Sequence, residues 1–109
     1  MPWLVRDNDV LASLEVAEGF WPRAKGLLGR SEFDGALLLP GVRAVHTLGM
    51  RFPIDVAYCD DEVVVVRTVT MKPHRVDWPV RQARMVVEAE AGAFERWKLK
   101  VGDRLEVTG

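Results

Sequence analysis

The chain has 109 residues, of which 49% are hydrophobic and 28% are charged, and its formal net charge is −1. This length predicts a single domain over residues 1–109, with the composition of a soluble globular protein. The near-zero net charge argues against nucleic acid or an anionic membrane as a partner. The longest aliphatic run, residues 63–66, is too short to cross a membrane. With no secretion signal pattern at the N-terminus, a cytoplasmic location is expected.

The chain consists mainly of short strand-like runs separated by turn residues. Asp7, Asn8 and Asp9 tolerate positive φ and predict a hairpin turn between the first two strands. The valine-rich residues 63–69 give the strongest strand signal and predict a central strand, and the proline-containing residues 72–79 predict a loop. The predicted strands are residues 3–6, 10–16, 36–39, 44–47, 54–58, 63–69, 84–89 and 105–107.

One prominent helix is predicted over residues 22–28. Pro22 suits its first turn, and Gly29 suits the left-handed position after its end. Gly26 costs about 1 kcal/mol relative to alanine inside a helix, which suggests that another backbone approaches there; the alternative is that the cost is simply tolerated. Residues 93–99 predict a further helical turn. The pattern favours an α+β, mainly β fold with a helix in the N-terminal half: a curved antiparallel sheet or a partly closed β-barrel.

A cluster of polar side chains interrupts the apolar run between residues 45 and 58. His46, Thr47, Arg51 and Asp55 lie within ten residues, and burying such groups unpaired costs about 1–3 kcal/mol each. The cluster is therefore either a structural network or a site. His46 and Asp55 could form a pair in which the carboxylate orients the imidazole. The alternative is that each group bonds to nearby backbone or arginine.

Three arginines in or beside predicted loops, Arg30, Arg51 and Arg75, carry planar donor groups that suit a carboxylate or phosphate. If they converge near His46, they define an anion-binding cleft; the alternative is that they are solvated or paired with acids. Trp78, in a loop, is the best candidate for an exposed stacking surface, or for a lid that packs against the end of the sheet.

The sequence predicts neither a metal nor a cofactor. It contains two histidines and one cysteine, and the ligand spacing of a metal site is absent. Thr47 follows His46 directly, so on a strand the two side chains would point to opposite faces and not form a nucleophile–base pair. Cys59 cannot form an intrachain disulfide and is expected to be a small core residue.

Three segments occur in an order that a known family shares. They are Arg23-Ala24-Lys25-Gly26-Leu27-Leu28-Gly29-Arg30, residues 45–58, and Val86-Val87-Glu88-Ala89-Glu90-Ala91-Gly92 followed by Lys100-Val101-Gly102-Asp103-Arg104-Leu105. Together they resemble the domain of unknown function 192 family across roughly residues 10–107. The resemblance implies a compact β-rich fold with a single prominent helix, and it leaves the function open because that family has no established activity.

The first functional hypothesis is a non-enzymatic domain that binds a small ligand, possibly an anion, or a partner protein. Its candidate site residues are His46, Thr47, Arg51 and Asp55, with Arg30, Arg75 and Trp78 at the edge. The alternative is a hydrolase- or lyase-type enzyme with His46 as general acid or base and Asp55 as its orienting group. A third possibility is a purely structural or assembly domain. The oligomeric state is not predicted.

Overall fold

Seven strands and two short helices make up residues 2–109, which the computed structural model describes apart from the side chains of Phe20 and Trp21. The elements in chain order are β1 (Trp3–Arg6), β2 (Asp9–Val16), α1 (Phe20–Lys25), β3 (Ala36–Pro40), β4 (Ile54–Cys59), β5 (Val65–Met71), β6 (Met85–Glu90), α2 (Ala93–Trp97) and β7 (Glu106–Thr108). No helix in this part of the chain combines the length and apolarity needed to cross a bilayer.

The strands form one sheet in the order β5-β4-β6-β3-β2-β1-β7. Its neighbours pair antiparallel except β2 and β3, which pair in parallel. Parallel pairing needs a long crossover, and residues 17–35, which include α1, supply it. The predicted mainly β architecture is confirmed, and a curved sheet fits it, but the sheet is mixed and not wholly antiparallel.

Within residues 2–109, the sheet does not close on itself. The segment before β7 reaches the start of β5, where the amide of Val65 donates to the Asp103 carbonyl and the Gly102 amide donates to the Val65 carbonyl, both at 2.8 Å. Beyond this point no strand pairs with the outer side of β5 within the described residues. The valine-rich run therefore forms an edge strand and not the predicted central strand. Its apolar side chains point to the two faces of the sheet, so they do not indicate whether another strand pairs along its edge.

Both faces of the sheet are covered, so two clusters of buried apolar side chains form the core. One cluster contains Leu27, Val56 and Tyr58, and the other contains Cys59 and Phe94 on the side of α2. All six residues of β4 are consequently buried. Cys59 is fully buried, as predicted, and burial raises the pKa of its thiol to about 12.

The first helix ends at Lys25 and not at residue 28, as the sequence predicted. Gly26 leaves the helical conformation with φ 53° and ψ −128°, and a Cβ atom there would lie 2.8 Å from Oε1 of Glu88. The close approach expected at Gly26 therefore exists, but to a side chain. Leu27 is buried, whereas Leu28 is only partly buried and packs beside Gly49.

Two further local predictions have opposite outcomes. The hairpin between β1 and β2 is present, with Asp7 and Asn8 at φ 50° and 69°. The predicted strand at residues 44–47 is not formed, since this segment contributes only an isolated bridge between His46 and Val76. Its backbone instead belongs to a pair of loops.

Candidate functional site

Residues 45–51 and 72–78 form two loops joined by backbone hydrogen bonds, which we call the double loop. The Thr47 amide donates to the Arg75 carbonyl at 2.8 Å, and the His74 amide donates to the Thr47 carbonyl at 2.8 Å. Farther along, the Asp77 amide donates to the Val45 carbonyl at 3.0 Å. Five predicted site residues lie on this unit: His46, Thr47, Arg51, Arg75 and Trp78.

Thr47 holds the two loops together from inside. Its side chain is fully buried, and its hydroxyl donates to the Lys72 carbonyl at 2.6 Å while accepting from the Arg75 amide at 2.9 Å. This hydroxyl is thus fully engaged with backbone and is not available as a nucleophile. The polar residue in an apolar run is explained by this pairing, because an unpaired buried hydroxyl is costly.

Replacing Thr47 with valine is expected to destabilise the domain by about 1–3 kcal/mol, because the Lys72 carbonyl and the Arg75 amide would lose a buried partner. Urea unfolding measures the change, and hydrogen exchange at the Arg75 amide should accelerate. Thr68→Val, at a half-buried threonine on β5, serves as the matched control. An equal effect of both substitutions would contradict the role assigned to Thr47.

Both histidines of the double loop are exposed and accept backbone hydrogen bonds at Nδ1. His46 accepts from the Leu48 amide at 3.3 Å, and His74 accepts from the Gly49 amide at 3.2 Å. A neutral imidazole that accepts at Nδ1 carries its proton on Nε2. Each ring therefore presents an Nε2–H donor to a ligand.

The double loop also exposes apolar and cationic side chains. Leu48 is 50% exposed, Val76 is 70% exposed and Trp78 is 85% exposed. The exposed cations are Arg51, Lys72 and Arg75. Exposed aromatic and aliphatic side chains beside arginine are typical of binding surfaces, and this combination offers both apolar contact and donors for an anion.

Asp77 is the single acidic residue of the double loop, and its charge is already matched. Its carboxylate accepts from the Tyr58 hydroxyl at 2.9 Å and forms an ion pair with Arg67 at 3.1 Å. Burial alone would raise the pKa of Asp77, but the hydrogen bonds from Arg67 and Tyr58 outweigh it and lower that pKa. Burial and the bond to Asp77 raise the pKa of Tyr58. Asp77 thus anchors the loop to β4 without neutralising its exposed cations.

Asp55 lies away from the double loop and holds the start of α2. Its carboxylate accepts from the Thr70 hydroxyl at 2.7 Å, from the Gly92 amide at 3.0 Å and from the Phe94 amide at 3.1 Å. The Asp55 carboxylate is therefore both buried and hydrogen-bonded. The predicted pair with His46 is not formed, because Asp55 points toward α2 while the double loop packs on the opposite face of the sheet.

Arg30 also lies outside the double loop. Its guanidinium is 2.5 Å from the Glu15 carboxylate and stacks over the ring of Phe33 at 5.0 Å. The hydrogen bond from Arg30 lowers the pKa of Glu15. Of the three arginines predicted to converge near His46, the structure therefore brings only Arg51 and Arg75 onto one unit with it.

Glu88 is a buried acid that the sequence analysis did not select. It lies on β6 between Leu37 and Val56 of the neighbouring strands, and its Oε1 has no hydrogen-bond partner among the described residues. Burial raises the pKa of Glu88 to about 7, although the Leu27 amide and the charge of Arg30 oppose the rise. The signal available in the sequence was a glutamate within an otherwise apolar strand.

The double loop presents groups that are suited to binding. Among residues 2–109, no three histidine, cysteine, aspartate or glutamate side chains are grouped as a metal site requires. No serine, threonine or cysteine in the double loop combines a free nucleophile with a base. What the double loop supplies is a backbone held by hydrogen bonds between its two loops, imidazole and guanidinium donors, and exposed apolar side chains.

The family model and the related proteins that match this chain all point to one uncharacterised family. Residues 4–107 match the model of DUF192, described as an uncharacterized family. The chain is 32% identical to a UPF0127 protein of Pyrococcus furiosus, covering 94% of this chain and 93% of that protein. It is 30% identical to a UPF0127 protein of Pyrococcus abyssi, covering 85% of this chain and 84% of that protein.

Two solved structures share the fold. A putative transcription regulator from Sinorhizobium meliloti superposes with a TM-score of 0.82 at 21% identity, covering 97% of this chain and 91% of that one. A protein of unknown function from Novosphingobium aromaticivorans gives a TM-score of 0.80 at 19% identity, covering 96% and 82% of the two chains. At these identities the similarity concerns the fold alone.

Proposed function

Because the chain belongs to the domain of unknown function 192 family, which has no characterised activity, we propose a function from the double loop itself. The protein is a non-enzymatic binding domain that engages an anionic group of a small ligand or partner protein. The observation that carries this proposal is the buried Thr47 hydroxyl, which locks two loops whose exposed side chains are cationic or apolar.

Preorganisation supports binding at this surface. A loop pair already held by backbone hydrogen bonds loses little conformational freedom when a ligand binds. Arg51 can offer two parallel N–H donors to a carboxylate or phosphate. Arg75, whose Nη1 donates to the Pro73 and His74 carbonyls, can offer its remaining N–H groups, and the Nε2–H groups of His46 and His74 add further donors. Trp78 supplies apolar area with a polar edge.

The enzyme alternative receives less support. General acid–base catalysis by His46 with Asp55 as orienting group would need the two side chains in one site, whereas they bond to separate partners on opposite faces of the sheet. A purely structural role accounts for Thr47 and Asp55. It gives no reason for an 85% exposed Trp78 on the same unit as exposed arginines.

A nucleic-acid partner is not part of the proposal. The description as a putative transcription regulator belongs to the Sinorhizobium meliloti protein. In this chain the net charge is −1, and the helices of six and five residues are short for reading a DNA groove. We also propose a cytoplasmic site of action, with which a free, buried Cys59 is compatible.

Titration of ¹⁵N-labelled protein with inorganic phosphate tests the binding proposal. Phosphate is expected to shift the amide signals of Thr47, Leu48 and Arg75, and added KCl should weaken the binding because exposed charges are screened. Arg75→Glu should weaken it about tenfold or more, since a repulsive carboxylate replaces a donor pair. Arg96→Glu, an equal charge reversal on α2, should have little effect.

Two outcomes would contradict the proposal. One is that no amide of the double loop moves at millimolar phosphate. The other is that Arg75→Glu and Arg96→Glu weaken binding equally, which would mean that phosphate responds to overall charge and not to this surface.

A further inference from the structure

Within residues 2–109, the outer edge of β5 is unpaired over most of its length. Among these residues only its first, Val65, is covered, through its bonds to the segment at Gly102 and Asp103. From Arg67 to Met71, strand pairing within the described chain goes only to β4. Backbone N–H and C=O groups along such an edge form a template for a further strand.

A hollow lies on each face of this edge. The first, of about 440 Å³, lies between β5 and the start of α2 and is lined by Thr68, Thr70 and Glu95. The second, of about 270 Å³, lies between β5 and the double loop and is lined by Val69 and Val76. Successive side chains of a strand point to opposite faces, so a chain paired with β5 would place them alternately in the two hollows.

The two hollows differ in chemistry. The hollow beside the double loop combines aliphatic walls with the exposed Lys72 and Arg75. Asp77 also lines it, but its charge is paired with Arg67. This hollow therefore suits acidic and aliphatic side chains. The hollow beside α2 offers the hydroxyls of Thr68 and Thr70 and suits small hydroxyl-bearing side chains. The side chains of an added strand would thus contact both hollows and give specificity, while its main-chain hydrogen bonds to β5 supply affinity.

We propose that β5 is the docking edge for an extended segment of a partner protein that alternates acidic or aliphatic residues with small hydroxyl residues. The acidic residues face the double loop, and the hydroxyl residues face α2. This inference rests on the proposed function, because the double loop supplies the cations, and it identifies the partner class as an acidic peptide in strand conformation.

A synthetic peptide, acetyl-Thr-Glu-Thr-Val-Thr-amide, tests the inference against two matched peptides. One carries lysine in place of glutamate, and the other is N-methylated at every residue so that neither of its edges can donate to a strand. The first peptide is expected to shift the amide signals of residues 67–71 and to slow their hydrogen exchange. The lysine peptide should bind at least tenfold more weakly, and the N-methylated peptide should not bind.

Charge reversal provides a second readout that does not disturb the strand. Arg75→Glu should reverse the preference, so that the lysine peptide binds more tightly than the glutamate peptide, while Arg96→Glu keeps the original order. The amide spectrum of each variant reports whether it is folded. An unchanged preference in Arg75→Glu would overturn the assignment of the acidic side chains to the double loop.

Other results separate this inference from the proposed function. If phosphate shifts the double loop but no peptide shifts residues 67–71, docking at β5 is wrong and anion binding stands. If neither ligand has an effect, both are wrong. Equal binding of the N-methylated peptide would overturn strand addition. Concentration-dependent dimers seen by analytical ultracentrifugation, with residues 67–71 protected in the absence of peptide, would identify a second copy as the occupant and overturn the peptide proposal.

Discussion

Asp55→Ala is expected to destabilise the domain by about 3–5 kcal/mol, because each buried donor left unpaired costs about 1–3 kcal/mol. The substitution removes the acceptor for the amides of Gly92 and Phe94 and for the hydroxyl of Thr70. The first turn of α2 has no side-chain cap from its own N-cap residue, Gly92, so Asp55 provides this function from β4.

Urea unfolding of Asp55→Ala and of the exposed control Asp61→Ala measures this effect. Hydrogen exchange at the Phe94 amide should accelerate in the first variant and stay unchanged in the second. A destabilisation by Asp55→Ala that equals that of the surface control would contradict the capping role.

Glu88→Gln is expected to change how stability depends on pH. The folded-state pKa of about 7 lies above the ordinary value of 4.5, so the folded protein binds this proton more tightly than the unfolded chain. The resulting stabilisation is complete below pH 4.5 and is lost as the pH rises through 7. At about 1.4 kcal/mol per pH unit, the loss is about 3 kcal/mol.

The glutamine variant has no carboxyl group to titrate at this position, so the loss should be absent from its profile. The difference in unfolding free energy between variant and wild type should therefore rise by about 3 kcal/mol between pH 4.5 and 7.5 in favour of the variant. Glu90→Gln, an exposed glutamate at the end of the same strand, is the matched control. If the difference in unfolding free energy between variant and wild type stayed constant across this pH range, Glu88 would not carry the buried proton.

The hairpin turn between β1 and β2 could be predicted from neighbouring residues alone. Asp7 and Asn8 adopt positive φ at the hairpin turn, as their side chains allow. The helix boundary was wrong because it depends on a distant residue. Gly26 ends α1 where the carboxylate of Glu88 occupies the space of a side chain, and no pattern near Gly26 encodes that contact.

The location of the candidate site could be predicted from the sequence, but not which of the predicted residues lie together in it. A threonine and a histidine in an apolar run located the first loop of the double loop, and Arg75 and Trp78 located the second. Asp55 was placed with them because it is near in sequence. The strand it belongs to, however, alternates between two covered faces, and Asp55 points to the face of α2. Only the three-dimensional pairing distinguishes the two faces.

The side-chain nitrogen signals of His46 and His74 test the central claim most directly. In the free protein, a long-range ¹H–¹⁵N spectrum should show both rings protonated at Nε2, since each Nδ1 accepts from a backbone amide. Addition of phosphate should shift at least one Nε2 signal along a saturating curve that added KCl weakens. Rings protonated at Nδ1 would contradict the hydrogen bonds from the Leu48 and Gly49 amides. Nε2 signals that stay fixed up to millimolar phosphate would contradict the double loop as an anion-binding surface.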